Sequence, residues 1–200
     1  MSPSNIAIKQ TLGDFISNLS PSQEYLILSF SPSSMPLRHR WRNNYLTADF
    51  IADYLSTFFL GSNDRQPDKL RQAEVKSAVS FIANELLENG MKYCVETSLF
   101  PISIQIHLNP ELIVFQQTNS ITLSQSECFQ NKIRQLLNND PSELYLAQLE
   151  KNALEENHTS SNLGLLTMLN DYGAKLGWKF EPISKQAAEL AVTTMVQLAI

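Results

Sequence analysis

Two different periods order the apolar residues of this 200-residue chain. Pro101-Ile-Ser-Ile-Gln-Ile-His-Leu108 alternates strictly, the pattern of a strand with one wet face. Asn109-Pro110 turns the chain, and Glu111-Leu-Ile-Val-Phe115 returns as the antiparallel partner. Val75, Val79, Ile82 and Leu86 instead step at helical spacing, which predicts a helix over 69–93 with Gly90 near its end. Similar spacing predicts helices over 6–19 (Leu12, Phe15, Ile16, Leu19), 46–59, 124–137, 141–155 and 162–176. The helix at 141–155 is well announced: Asp140 can cap it, Pro141 suits its first position and Glu143 favours its first turn. Tyr25–Phe30 reads as a short buried strand, and 178–181 with 189–199 as a closing antiparallel pair. Gly61 stops the helix before it, and the polar stretch 61–68 reads as a loop.

Helices therefore mix with antiparallel pairings and do not alternate strand-helix-strand throughout. The expected fold class is α/β (α+β), a two-layer sandwich with helices on one face of a mixed, mostly antiparallel sheet. No Gly-rich fingerprint follows any strand, so a Rossmann-type sheet is not expected. No linker or repeat divides the chain, so 1–200 reads as one domain.

Composition narrows the class further. Hydrophobic residues make up 43% and charged residues 18%, which suits a folded core rather than a disordered chain. The net charge of −5 argues against a non-specific nucleic-acid or anionic-membrane binder. No apolar run approaches the roughly 20 residues of a membrane span. The polar start Met1-Ser-Pro-Ser-Asn5 is no export signal, so a cytoplasmic location is expected. Cys94 and Cys128, with three scattered histidines, give no metal-ligand spacing. The run Arg38-His-Arg-Trp-Arg42 is the one basic cluster containing an aromatic residue. In an acidic chain it reads as packing or partner docking in a loop that leads into helix 46–60.

Chemistry concentrates on the long helix. Glu85, Asn89 and Lys92 fall within about 60° of one another, at the border of its apolar stripe. A carboxylate can serve as general base, an amide oxygen suits Mg²⁺, and an ammonium can meet phosphate. The bland alternative is a solvated helix edge, with Asn89-Gly90 as an ordinary helix ending.

The string Phe81-Ile-Ala-Asn-Glu85-Leu-Leu-Glu-Asn89-Gly-Met-Lys92-Tyr93 resembles the N-box of the Bergerat-fold (GHKL) ATPases and kinases. Ser160-Ser161-Asn162-Leu163-Gly164-Leu-Leu166 opens a helix and resembles that group's second glycine box. The resemblance covers most of 70–200 and is nearest to the anti-sigma-factor serine kinases and the SiaB-like family. It implies ATP or ADP with Mg²⁺ as cofactors, Glu85 as the activating carboxylate and Asn89 as the Mg²⁺ ligand. Lys92, Ser160, Ser161, Asn162, Leu163 and Gly164 would meet the phosphates, and Asn119 the adenine. It also implies a core over 64–200 with an N-terminal extension at 1–63.

The implied partner is a STAS-domain antagonist protein phosphorylated on serine or threonine in a partner-switching circuit. A sigma factor or a phosphatase regulator is a further partner of that kind of circuit, and a homodimer is compatible with it. The pattern departs from the family at two places. Only Gly164 of three glycines is present, and Gln116-Gln-Thr-Asn-Ser-Ile121 stands where an Asp-x-Gly-x-Gly box would follow the strand. These departures motivate two alternatives, a nucleotide-binding pseudokinase and a nucleotide-free module that only sequesters its partner.

Overall fold

A computed structural model describes residues 9–19, 24–32, 37–59, 66–154, 163–184 and 189–200. Six strands form one sheet: β1 (Gln10–Gly13), β2 (Glu24–Phe30), β3 (Ile102–Asn109), β4 (Leu112–Thr122), β5 (Lys175–Pro182) and β6 (Glu189–Ala199). Their order across the sheet is β1-β5-β6-β4-β3-β2, and every neighbouring pair is antiparallel. The helices are α1 (Leu37–Ser56, followed by a 3₁₀ turn at Thr57–Phe59), α2 (Gln66–Tyr93), α3 (Leu123–Asn138), α4 (Pro141–Leu154) and α5 (Gly164–Asn170). The expected α+β sandwich is the observed architecture, with an all-antiparallel sheet.

Strand alternation gives the sheet two different faces. Ile104, Phe115, Val196 and Trp178 lie on one face, buried beneath α2, α3 and α5. Val75, Val79, Ile82 and Leu86 are the buried stripe of α2, and α1 packs on α2 through Ala48, Ile51, Ala52 and Leu55. On α3, Phe129 meets Trp178 and Phe180 edge-on at 6.4 and 6.2 Å. The opposite face carries Ser103, Gln105, Gln116, Thr118 and Thr193, interleaved with those core residues.

Helix ends follow local chemistry. Thr122 and Gln125 form a reciprocal capping box at α3, with bonds of 3.2 and 2.8 Å. Asp140 Oδ1 accepts the amides of Ser142 and Glu143 at 2.9 and 3.1 Å, so α4 starts as expected.

Several expectations are corrected. The predicted helix over 6–19 is, within its described part, strand β1 and an extended strap at 14–19; residues 6–8 lie outside the described residues. Gly13, at φ +66°, turns the chain out of β1. The helix expected from 46 begins at Leu37, so the backbone of Arg38–Arg42 is helical rather than a loop. Gly61 and most of the expected loop lie outside the described residues, and 66–68 already belong to α2. The helix expected over 162–176 ends at Asn170: Gly173, at φ +58°, reverses the chain, and Leu176 enters β5. Finally, the strand expected to end at Phe115 runs on to Thr122. Residues 116–121 continue β4 in unbroken register with β6, because cross-strand pairing satisfies the backbone of this polar run.

Candidate functional site

Helix α2 presents Glu85, Asn89 and Lys92 on a common, half-buried edge. Leu86 and Leu87 are fully buried, which fixes the rotation of the helix and aims its polar edge at the border of the core. Gly90 does not end the helix but lies within it. A Cβ there would lie 2.8 Å from Gln117 Cδ and 3.3 Å from Ile102 Cγ2, so glycine lets the C-terminal part of α2 settle directly on β3 and β4.

The second element of the site is the start of α5. Gly164 opens that helix after Leu163, whose carbonyl accepts the Thr167 amide at 2.8 Å. A Cβ on Gly164 would lie 2.8 Å from Glu85 Cδ and overlap Oε2. The fold thus sets a carboxylate from one helix against the bare backbone of another. Glu85 and Gly164 are 79 positions apart in the chain and meet only through tertiary packing. Burial pushes the Glu85 carboxyl above its usual range; the neighbouring Glu88 adds to this and Lys92 opposes it. Lys92 also lies over the Tyr93 ring at 5.4 Å.

Glu85 and Gly164 are therefore brought together, with Asn89 one turn and Lys92 two turns along α2 from Glu85. Leu163 precedes Gly164 directly, whereas Ser160, Ser161 and Asn162 lie outside the described residues. Asn119 sits elsewhere, buried within β4 on the helix-covered face. Its Oδ1 accepts from Gln117 Nε2 at 3.2 Å, and its Nδ2 donates to the Ser120 carbonyl at 3.0 Å. The donor types along this edge of α2, two side-chain oxygens and an ammonium on successive turns beside Gly164, are those the phosphate and Mg²⁺ end of a nucleotide would need.

Reasoning from the sequence missed Gln117 and Glu88. Gly90 held the clue to the first, since a glycine inside a helix marks a close approach. The second lies one turn from Glu85 and is a charge neighbour by spacing alone. Among the described residues no cluster of three or more His, Cys, Asp or Glu side chains could hold a metal by itself, and no helix is long and apolar enough to cross a membrane. Buried Cys94 directs its thiol toward the Met91 carbonyl at 3.4 Å, while Cys128 is exposed.

One concavity of the described residues lies away from this site. A groove of about 640 Å³ lies on the other face of the sheet, between the 14–19 strap and Phe100.

No protein-family model matches the chain, and no curated protein sequence matches it. Among solved structures, the chain is similar to one in the crystal structure of the SiaB–SiaC complex from Pseudomonas aeruginosa, with a TM-score of 0.56. Sequence identity is 16%, over 88% of this chain and 89% of that one. At that identity the likeness is one of fold.

Proposed function

We propose that this protein is a SiaB-like regulator that binds a Mg-nucleotide between α2 and the start of α5 and engages a SiaC-type or STAS-domain protein partner. The observation that carries this reading is the apposition of the Glu85 carboxylate and the Gly164 backbone, which unites two separate sequence motifs. The shared fold of a chain from a SiaB–SiaC complex supports it.

When bound, Mg-ATP supplies the transferable phosphoryl group and neutralises charge around it. The chain's own residues have distinct tasks. Glu85, held above the usual carboxylate range by burial, is suited to take the proton from a partner hydroxyl. Asn89 offers a neutral oxygen to the metal, and Lys92 brings a positive charge to the phosphates. Gly164, having no side chain of its own, lets the Glu85 carboxylate lie directly against the start of α5.

Calorimetric titration with Mg-ATP and with Mg-ADP tests the reading. Measurable heat that disappears in Asn89→Ala supports it; an absence of heat with both nucleotides rejects it. With labelled ATP and a SiaC-type partner, Glu85→Ala should abolish phosphoryl transfer while sparing nucleotide binding. One observation favours a second reading, a nucleotide-free module that only sequesters its partner: the Asn119 side-chain oxygen accepts from Gln117 Nε2 within the sheet. Partner binding unchanged by nucleotide, in a protein that gives no titration heat, would select it.

A further inference from the structure

We propose that the sheet face opposite the helices carries a second binding site, for a neutral polyhydroxylated small molecule such as a sugar or cyclitol. The proposal is independent of the nucleotide reading, which concerns the other face.

The groove has a constructed wall. The strap at 14–19 is held to the sheet by Asp14 N donating to the Leu176 carbonyl at 2.8 Å and by Gln197 Nε2 donating to the Asp14 carbonyl. Ile16 N approaches Met195 Sδ at 3.4 Å. Gly177 makes this approach possible, because a Cβ there would lie 2.6 Å from Phe15 Cα and 2.7 Å from the Asp14 carbonyl carbon. Phe15, Ile16 and Leu19 then line one side of the groove, and Phe100 lines the other.

The floor is polar in an ordered way. Ser103 pairs in register with Thr118, and Thr118 with Thr193, so three hydroxyls form a row across β3, β4 and β6. Thr118 Oγ1 and Thr193 Oγ1 are 2.9 Å apart. One step along the strands, Gln105 faces Gln116, placing two carboxamides side by side. Hydroxyls and carboxamides both donate and accept, which matches the vicinal hydroxyl groups of a ring polyol.

The charged side chains that line the groove, Lys179 and Glu181, pair with each other. Lys179 Nζ binds Glu181 at 2.6 Å, Lys9 Nζ binds the same carboxylate at 2.9 Å, and Lys179 also lies over the Phe15 ring at 5.5 Å. Among the described lining residues the one ammonium and the one carboxylate are thus engaged with each other, which leaves the hydroxyls and carboxamides of the floor as the groups that face a ligand. A polyol would place its hydroxyls on the floor and its C–H surface against the phenylalanines, the usual division of labour in a small-molecule site. The volume lies in the range of such sites, about 300–1,000 Å³.

The test is saturation-transfer NMR on the whole protein with glucose, N-acetylglucosamine and myo-inositol as separate probes. Transfer to at least one, with methyl shifts confined to Ile16, Ile183, Ala191 and Thr193 and no competition from Mg-ATP, is the expected result. Gln105→Leu should weaken that binding roughly tenfold by removing one hydrogen-bonding group. The native-protein methyl map decides the location even if a variant folds poorly. No transfer to any probe overturns the proposal. So do shifts that map to α2 and α5, binding indifferent to Gln105→Leu, or methyl shifts in the groove caused only by a protein partner.

Discussion

The two faces of the sheet are built from the same strands, one residue out of step, and they do different work. On the helix side Ile104, Phe115, Val196 and Trp178 are shielded by α2, α3 and α5, and this burial is the main source of stability. On the other side Gln105, Gln116 and Thr118 are only half-buried, beside a strap of a few residues. Strand β6 shows the contrast within one element: every residue from Leu190 to Leu198 is buried, half beneath helices and half beneath or beside the strap. A strand's period of two thus lets one sheet hold a packed interior and a wet, hydrogen-bonding surface together. The α2–α5 site belongs to the first side and the groove to the second.

The largest test of this contrast compares substitutions on the two sides. Trp178→Ala, at the largest fully buried side chain, should lower unfolding stability by about 3–5 kcal/mol in denaturant titrations. Thr118→Val, in the adjoining register row but on the open face, should change it by about 1 kcal/mol or less. Equal losses would contradict the division of the sheet into a stabilising face and a recognising face.

A second test breaks the open face alone. Gly177→Ala would push a Cβ into the backbone of Asp14 and Phe15, which cannot yield as a flexible side chain could. A cost of about 1–3 kcal/mol is expected, with detachment of the strap seen as faster amide exchange at Asp14. Groove binding should fall with it, while heat from Mg-nucleotide titration stays as in the native protein. A loss of both together would show that the two faces are coupled.

The sequence made the helix side far easier to read than the open one. The Val75–Leu86 stripe, the alternation at 101–108 and the Asp140-Pro141 cap are local signals, and local signals survive without tertiary knowledge. The strap failed because Leu12, Phe15 and Ile16 fit a helical period equally well; what makes them a strand and a strap is pairing with β5, beyond residue 174. The strand is expected to stop at Phe115 because the run Gln116–Ser120 is polar, yet β6 pairs with all of it and much of it is buried. Within the candidate site, Glu85, Asn89 and Lys92 were legible because they share one helix. The contact of Glu85 with Gly164 was not, since only packing brings α2 and α5 together.

The smallest and sharpest contrast is electrostatic, because among the described residues each side of the sheet carries one perturbed carboxyl, and the two are shifted in opposite directions. Burial, aided by Glu88, raises Glu85, so the protonated form favours the fold. Its contribution is complete below the ordinary carboxylate range and is lost as pH rises through the raised folded-state value. Glu181 behaves in reverse. Burial again opposes its charge, but hydrogen bonds and charges from Lys179 and Lys9 outweigh burial and lower its pKa. Its contribution is present above the ordinary range and is lost as pH falls through the lowered value. Unfolding measured across pH 3–8 therefore separates the two, with the range chosen to bracket the ordinary carboxylate pKa of about 4. Glu85→Gln should stabilise the protein at neutral pH and match the native chain in acid. Glu181→Gln should destabilise it at neutral pH by no more than about 1 kcal/mol, because the pair is partly solvated, and match the native chain only at the acid end. If Glu85→Gln proved destabilising at neutral pH, its carboxylate would have to be gaining more from Lys92 or the start of α5 than it loses to burial. The α2–α5 junction would then be an ion-pair support rather than a poised base.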